Sequence, residues 1–266
     1  MLAFFRGSAR GSGSAGAHGR PVALVTGASR GIGAAVAREL ARRGYALALA
    51  ARSVGPLAEL AGELTRAGAP ALPIPADLSR PDEAQRLARL ALEHFGRVDA
   101  LVNNAGIGGG GRGLARMSEA DVRQMLAVNL TAPALLTHAL LPQMLERRSG
   151  AVVFVGSVAG RVALPGSALY SATKFGLRGL ALALRRETRG RGVRVILISP
   201  GFVDTEMVRR LRLVPKIPAE RVAQAVADAL DRPQREVFVP GYYRLAAWLE
   251  AAAPSVIDLA LWWRGR

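Results

Sequence analysis

The stretch VALVTGASRGIGAAVARELARRG, residues 22 to 44, sets the reading of the whole chain. VALVT is a short β-rich run, TGASRGIG supplies closely spaced glycines, and GIGAAVARELARRG has the spacing of an amphipathic helix ending at Gly44. Strand, glycine turn and helix in that order can bring a backbone close to a phosphate. The glycines permit a tight turn, and the free amides at the helix start favour negative charge. The spacing is GxxxGxG, and glycine-rich strand-to-helix turns also occur for steric reasons alone.

Outward from this unit the alternation repeats. ALALAA (46 to 51), ALPIPA (71 to 76), ALVN (100 to 103), AVVFVG (151 to 156), VRVILI (193 to 198) and EVFV (236 to 239) read as further strands. Between them helices are expected over 56–66, 81–95, 118–148, 168–189 and 219–230. Apolar runs without in-out alternation are buried on both faces, so the expected architecture is α/β: one doubly wound domain with a seven-stranded, mostly parallel sheet. Right-handed crossovers put its ligands at the carboxyl ends of the strands. Residues 1–20 read as a flexible leader, 21–241 as the doubly wound domain and 242–266 as a helical tail.

Composition narrows the function classes. The formal charge is +16, and 34 of the 36 basic residues are arginine. Most are scattered over helical stretches rather than clustered with aromatics, so a solvated basic surface is expected and nucleic acid is not a partner. Without cysteine there is no disulfide or thiolate chemistry. MLAFFRG is too short an apolar run for a secretory signal, and no uncharged apolar run reaches a membrane span. A cytoplasmic protein is expected, and no metal-ligand pattern stands out. Scarce residues are informative: the three Asn are Asn103, Asn104 and Asn129, and the two Lys are Lys174 and Lys216.

At the end of the second expected strand stands Ala51-Arg52, where a dinucleotide fold places an acid for the ribose hydroxyls. A carboxylate there would repel a 2′-phosphate, whereas a guanidinium can grip it, and Arg30 lies in the neighbouring turn. NADP(H) is therefore expected over NAD(H). Asp77 could accept from an adenine amino group or cap a turn. Asn103-Asn104-Ala105-Gly106 could tie strand ends to a cofactor or form a plain turn. Pro133 lacks the N–H that would bond the carbonyl of Asn129, which leaves that carbonyl free at a kink or simply breaks the helix. Tyr170 and Lys174, four apart in a helical run, share one face, with Ser157 ahead of them at a strand end; they form a proton-transfer centre or an ordinary surface pair.

These motifs in this order resemble the short-chain dehydrogenase/reductase family, over about Pro21 to Met207. The resemblance implies a Rossmann domain and hydride transfer between a nicotinamide and an alcohol or carbonyl carbon. By matching position it implies Asn129, Ser157, Tyr170 and Lys174 as catalytic residues. The implied cofactor contacts are Gly27, Ser29, Arg30, Gly31, Ile32, Gly33, Arg52, Asp77, Leu78, Asn104, Ala105, Gly106, Tyr170, Lys174, Pro200, Gly201, Val203 and Thr205. Tyr170 would protonate the developing alkoxide and Ser157 donate a second hydrogen bond to it. The Lys174 ammonium, with an oxidised nicotinamide, would favour the phenolate. The Asn129 carbonyl would hold a relay water.

Segments 107–113, 158–164 and 202–218 would wall a mostly apolar substrate pocket, which favours a lipid-, retinoid- or steroid-like carbonyl or alcohol. Members resembling acyl-carrier ketoreductases commonly carry Asn where this chain has Ile196, and end in a different strand and turn. A 3-oxoacyl-carrier ketoreductase is therefore the alternative, and a silent NADP-binding sensor or scaffold the alternative of another class. The tail, with Trp248, Trp262 and Trp263, is expected to cover the core or a partner subunit, with peripheral membrane contact as the second option. A homodimer or homotetramer is expected through the 118–148 and 168–189 helices.

Overall fold

The computed structural model describes residues 19–108, 111, 113–208, 215–232 and 234–264. Seven strands form one sheet: β1 (Val22–Thr26), β2 (Ala46–Ala51), β3 (Ala71–Pro75), β4 (Ala100–Asn103), β5 (Gly150–Val155), β6 (Val193–Pro200) and β7 (Glu236–Val239). Their order is β3-β2-β1-β4-β5-β6-β7, with every pair parallel. The order reverses between β1 and β4, and the crevice above that point is where a doubly wound sheet takes its ligand.

Alanine, valine and leucine fill both faces because both are covered. On one side α1 (Gly31–Arg42), α2 (Val54–Arg66) and α7 (Ala219–Asp231) pack on Val25, Leu47, Leu49, Val153 and Ile198. On the other, α3 (Pro81–Phe95), α5 (Ala132–Glu146) and α6 (Ala168–Glu187) pack on Leu24, Leu101, Phe154 and Leu197. Residues from β1, β4, β5 and β6 alternate between the two layers, as the period-2 geometry of a strand requires.

Two expectations on elements are corrected. The helix expected over 118–148 is not one α-helix: α4 (Glu119–Leu126) passes through a π turn, Ala127–Thr131, into α5. The N–H of Ala132 donates to the Ala127 carbonyl, five residues back. Pro133 has no donor to offer, and the chain widens upstream rather than breaking. This run, Glu119–Glu146, is long and apolar enough to cross a bilayer by length and composition. It is instead a core helix here, with Leu136, Leu140 and Met144 fully buried against the sheet. Second, β6 continues two residues past Ile198, so Pro200 belongs to the strand and pairs with Val239.

The leader lies outside the described residues up to position 18, while Arg20 is already tied down by its bond to the Gly68 carbonyl, 2.9 Å. The tail is two helices, α8 (Tyr243–Ala252) and α9 (Pro254–Arg264), parted at Pro254. α8 seats Ala247, 6% exposed, and presents Leu245 and Trp248 outward, with Tyr242 exposed just before it, each above 60%. The side chains of Trp262 and Trp263 lie outside the described residues.

Candidate active site

The turn after β1 is built by close approach. A Cβ on Gly33 would sit 2.1 Å from the Gly27 carbonyl oxygen, so α1 can only start this near the turn with glycine at 33. Gly27 and Gly31 have φ of +65° and +55°, which L side chains rarely adopt. The start of α1 carries no side-chain cap and no acid in its first turn. Its leading amides and dipole are thus offered outward, which fits a dinucleotide pyrophosphate. A cavity of about 600 Å³ opens beside Ser29, Arg30 and Gly31, bounded by Glu59, Glu63 and Glu220.

The turn is locked to β4 by one hydroxyl. Thr26, 1% exposed, accepts the N–H groups of Asn104 and Ala105, both at 3.0 Å, and donates to the Val102 carbonyl at 3.3 Å. The Asn104 amide donates to the carbonyl of Thr26 at 2.8 Å. Of the paired asparagines only Asn104 serves this edge. Asn103 turns the other way, to the Thr137 hydroxyl on α5 at 3.3 Å.

Two expected residues, Asn129 and Lys174, converge on Gly106. A Cβ there would stand 3.5 Å from Asn129 Oδ1 and 3.7 Å from Lys174 Nζ. Asn129, fully buried in the π turn, accepts from Ile107 N at 2.8 Å and donates to Ile107 O at 2.9 Å and to Thr173 Oγ1 at 3.2 Å. Its side chain therefore clamps the loop after β4 to α6. The sequence points only to its main-chain carbonyl, whereas the side chain makes these contacts.

Lys174 is 4% exposed and donates to the Val155 carbonyl at 2.9 Å. Burial lowers its pKa from 10.5 to about 8. Its Nζ lies 5.7 Å from the Tyr170 ring centre. Burial raises the Tyr170 phenol, and the hydrogen bond with Ser157 opposes the rise. The expected lysine-driven fall is thus not present in the chain alone, because desolvation outweighs the Ser157 bond. Ser157 Oγ also accepts from Ala159 N at 3.0 Å. Ser157, Tyr170 and Lys174 thus stand together at the carboxyl end of β5, and a phenol there can hand a proton to a bound oxygen.

The remaining expected contacts divide. Gly31 faces Thr205, whose Cγ2 would be 3.2 Å from a Cβ at 31. Arg30 pairs with Glu206, whereas exposed Arg52 has no ion pair among the described residues. Asp77 Oδ1 is held in a turn by Ser79, through N at 3.1 Å and Oγ at 2.8 Å. Leu78 and Val203 are core residues, and Ile32 packs against the α1 layer. Gly201 lies under the Tyr243 ring of the tail. Of the expected pocket walls, residues 109, 110, 112 and 209–214 lie outside the described residues.

The model of the short chain dehydrogenase family matches residues 21–215. The chain belongs to the short-chain dehydrogenase family. A 3-oxoacyl-[acyl-carrier-protein] reductase of Synechocystis sp. is 39% identical over 207 residues, covering 76% of this chain and 83% of the relative. A metagenomic short-chain oxidoreductase solved with NADP is 38% identical, with a TM-score of 0.73 over 85% of this chain and 98% of that one. A short-chain dehydrogenase/reductase from Burkholderia phymatum, solved with NAD, has a TM-score of 0.82 at 28% identity, over 89% and 95%. As a short-chain dehydrogenase the chain is an oxidoreductase acting between CH–OH and C=O groups.

Proposed function

We propose that the chain reduces an apolar carbonyl with NADPH, or runs the reverse oxidation, through Tyr170. The observation that carries this is the convergence of Asn129, Tyr170 and Lys174 with Ser157 beside Gly106 and the end of β5. Bound NADPH supplies the hydride. Gly27, Gly31 and Gly33 let the backbone reach its pyrophosphate, Arg30 and Arg52 take the 2′-phosphate, and Lys174 binds the ribose hydroxyls. Ser157 donates to the developing alkoxide while Tyr170 delivers the proton to it. Asn129 keeps the loop at Ile107 fixed over this centre. Tyr170→Phe removes the acid and keeps the ring. Turnover falls by about 10²-fold or more, while NADPH affinity, measured by fluorescence titration, stays within twofold; retained turnover overturns the mechanism.

A second substrate reading is favoured by the relatives named 3-oxoacyl-[acyl-carrier-protein] reductase. The Ile196 difference weighs less against it than the sequence suggested, because Ile196 is 1% exposed in the core and away from the site. NADPH oxidation with a 3-oxoacyl thioester against a panel of apolar ketones separates the two. Self-association through α4 and α6 is supported by Leu126 and Phe175, exposed at 38% and 39%. A monomer mass in solution removes it.

A further inference from the structure

We infer that Glu206 is a built-in competitor for the 2′-phosphate of NADP(H) and sets how far this chain discriminates between the two nicotinamide cofactors. The inference rests on the reading of Arg30 and Arg52 as the phosphate-binding cations. Arg30 precedes α1 in extended backbone, φ −162° and ψ 170°, and its side chain caps nothing. Its guanidinium is claimed instead by Glu206, the first residue of the short 3₁₀ turn Glu206–Val208 that follows β6. Thr205, next to Glu206, sets its side chain against Gly31, next to Arg30, so the two segments meet where the pair forms. Both side chains are exposed, at 70% and 62%, which leaves the pair open to exchange with an incoming anion.

Across the cofactor turn the two cations are therefore in different states. Arg52 is free of ion pairs among the described residues and can meet a phosphate directly. Arg30 must first release a carboxylate. In a dinucleotide fold an acid at the end of the second strand repels the 2′-phosphate; here that position holds Ala51-Arg52, and the carboxylate arrives from the β6 side and acts on the cation. NADH carries no phosphate at this place, so its binding does not require the pair to open.

The test is direct binding, which needs no substrate. Dissociation constants for NADPH and NADH are measured by fluorescence titration for the full chain and for Glu206→Gln, an isosteric change. Glu206→Gln is expected to tighten NADPH roughly two- to fivefold, the range that an exposed ion pair spans. NADH stays within twofold, and Glu206→Gln made on Arg30→Ala leaves NADPH affinity unchanged. Equal shifts for both cofactors, or weaker NADPH binding, would mean that Glu206 positions the turn, and either result overturns the inference. Arg30→Ala and Arg52→Ala alone test the underlying reading. If they leave the preference in affinity for NADPH over NADH unchanged, that reading falls; if they lower this preference while Glu206→Gln is silent, only the competitor role falls.

Discussion

At the residue scale, two groups with displaced ionisation are neighbours in the proposed proton path, and burial moves them in opposite directions. Lys174 drops to about 8 and Tyr170 rises, so below pH 8 the chain holds a charged lysine beside a neutral phenol. That is the state proposed for reduction. In kcat/KM for NADPH, which reports the free enzyme, activity is expected to fall as pH rises through about 8, where Lys174 loses its charge. The same group predicts a stability trend. Its folded pKa lies below its unfolded value, so the unfolded chain binds more protons in that window and stability rises with pH above 8. From pH 8 to 10 the rise is about 2 kcal/mol, and Lys174→Met abolishes it in urea unfolding. Equal slopes for the two proteins refute the assignment. The sequence showed that a scarce lysine stands four residues from a tyrosine. It could not show burial, which decides the sign of both shifts.

At the element scale, the site depends on how strand ends are tied. Thr26 closes β1 onto β4 with a single hydroxyl that serves two amides and one carbonyl. Thr26→Val keeps the shape and orphans two inward N–H groups, at about 1–3 kcal/mol each, so a loss of roughly 2–6 kcal/mol is expected in chemical denaturation. Thr26→Ser restores the hydroxyl and most of the stability; a valine variant as stable as the serine one would show that the bonds are dispensable. Strands and most helices were legible because buried runs and 3.6-residue periodicity are local. What Thr26 and Asn129 hold together was not, since Thr26 meets Asn104 78 positions away and Asn129 meets Ile107 22 positions away. Asn129 stood out only by rarity. Its side-chain clamp depends on the π turn, a response to Pro133 that the sequence left open between a kink and a break.

At the scale of the whole molecule, the parallel sheet followed from the alternation of apolar runs and helices, but the place of the tail did not. α8 lies over the end of β6, and a Cβ on Gly201 would fall 2.1 Å from the Tyr243 ring. Gly201 N also donates to the Val239 carbonyl at 2.9 Å, so the backbone is held while the ring covers it. Gly201, which the family resemblance makes an expected cofactor contact, is thus also the seat of α8. This makes the coupling measurable. Gly201→Ala drives its methyl into the ring, which must shift to make room, at a cost of about 1–3 kcal/mol for overpacking. Tyr243→Ala removes a half-buried ring and costs a similar amount. In the double variant the new methyl enters the space that the ring has left, so its cost falls below the sum of the two by about 1 kcal/mol or more. Strict additivity in the double-mutant cycle would mean that the ring and Gly201 are not in contact.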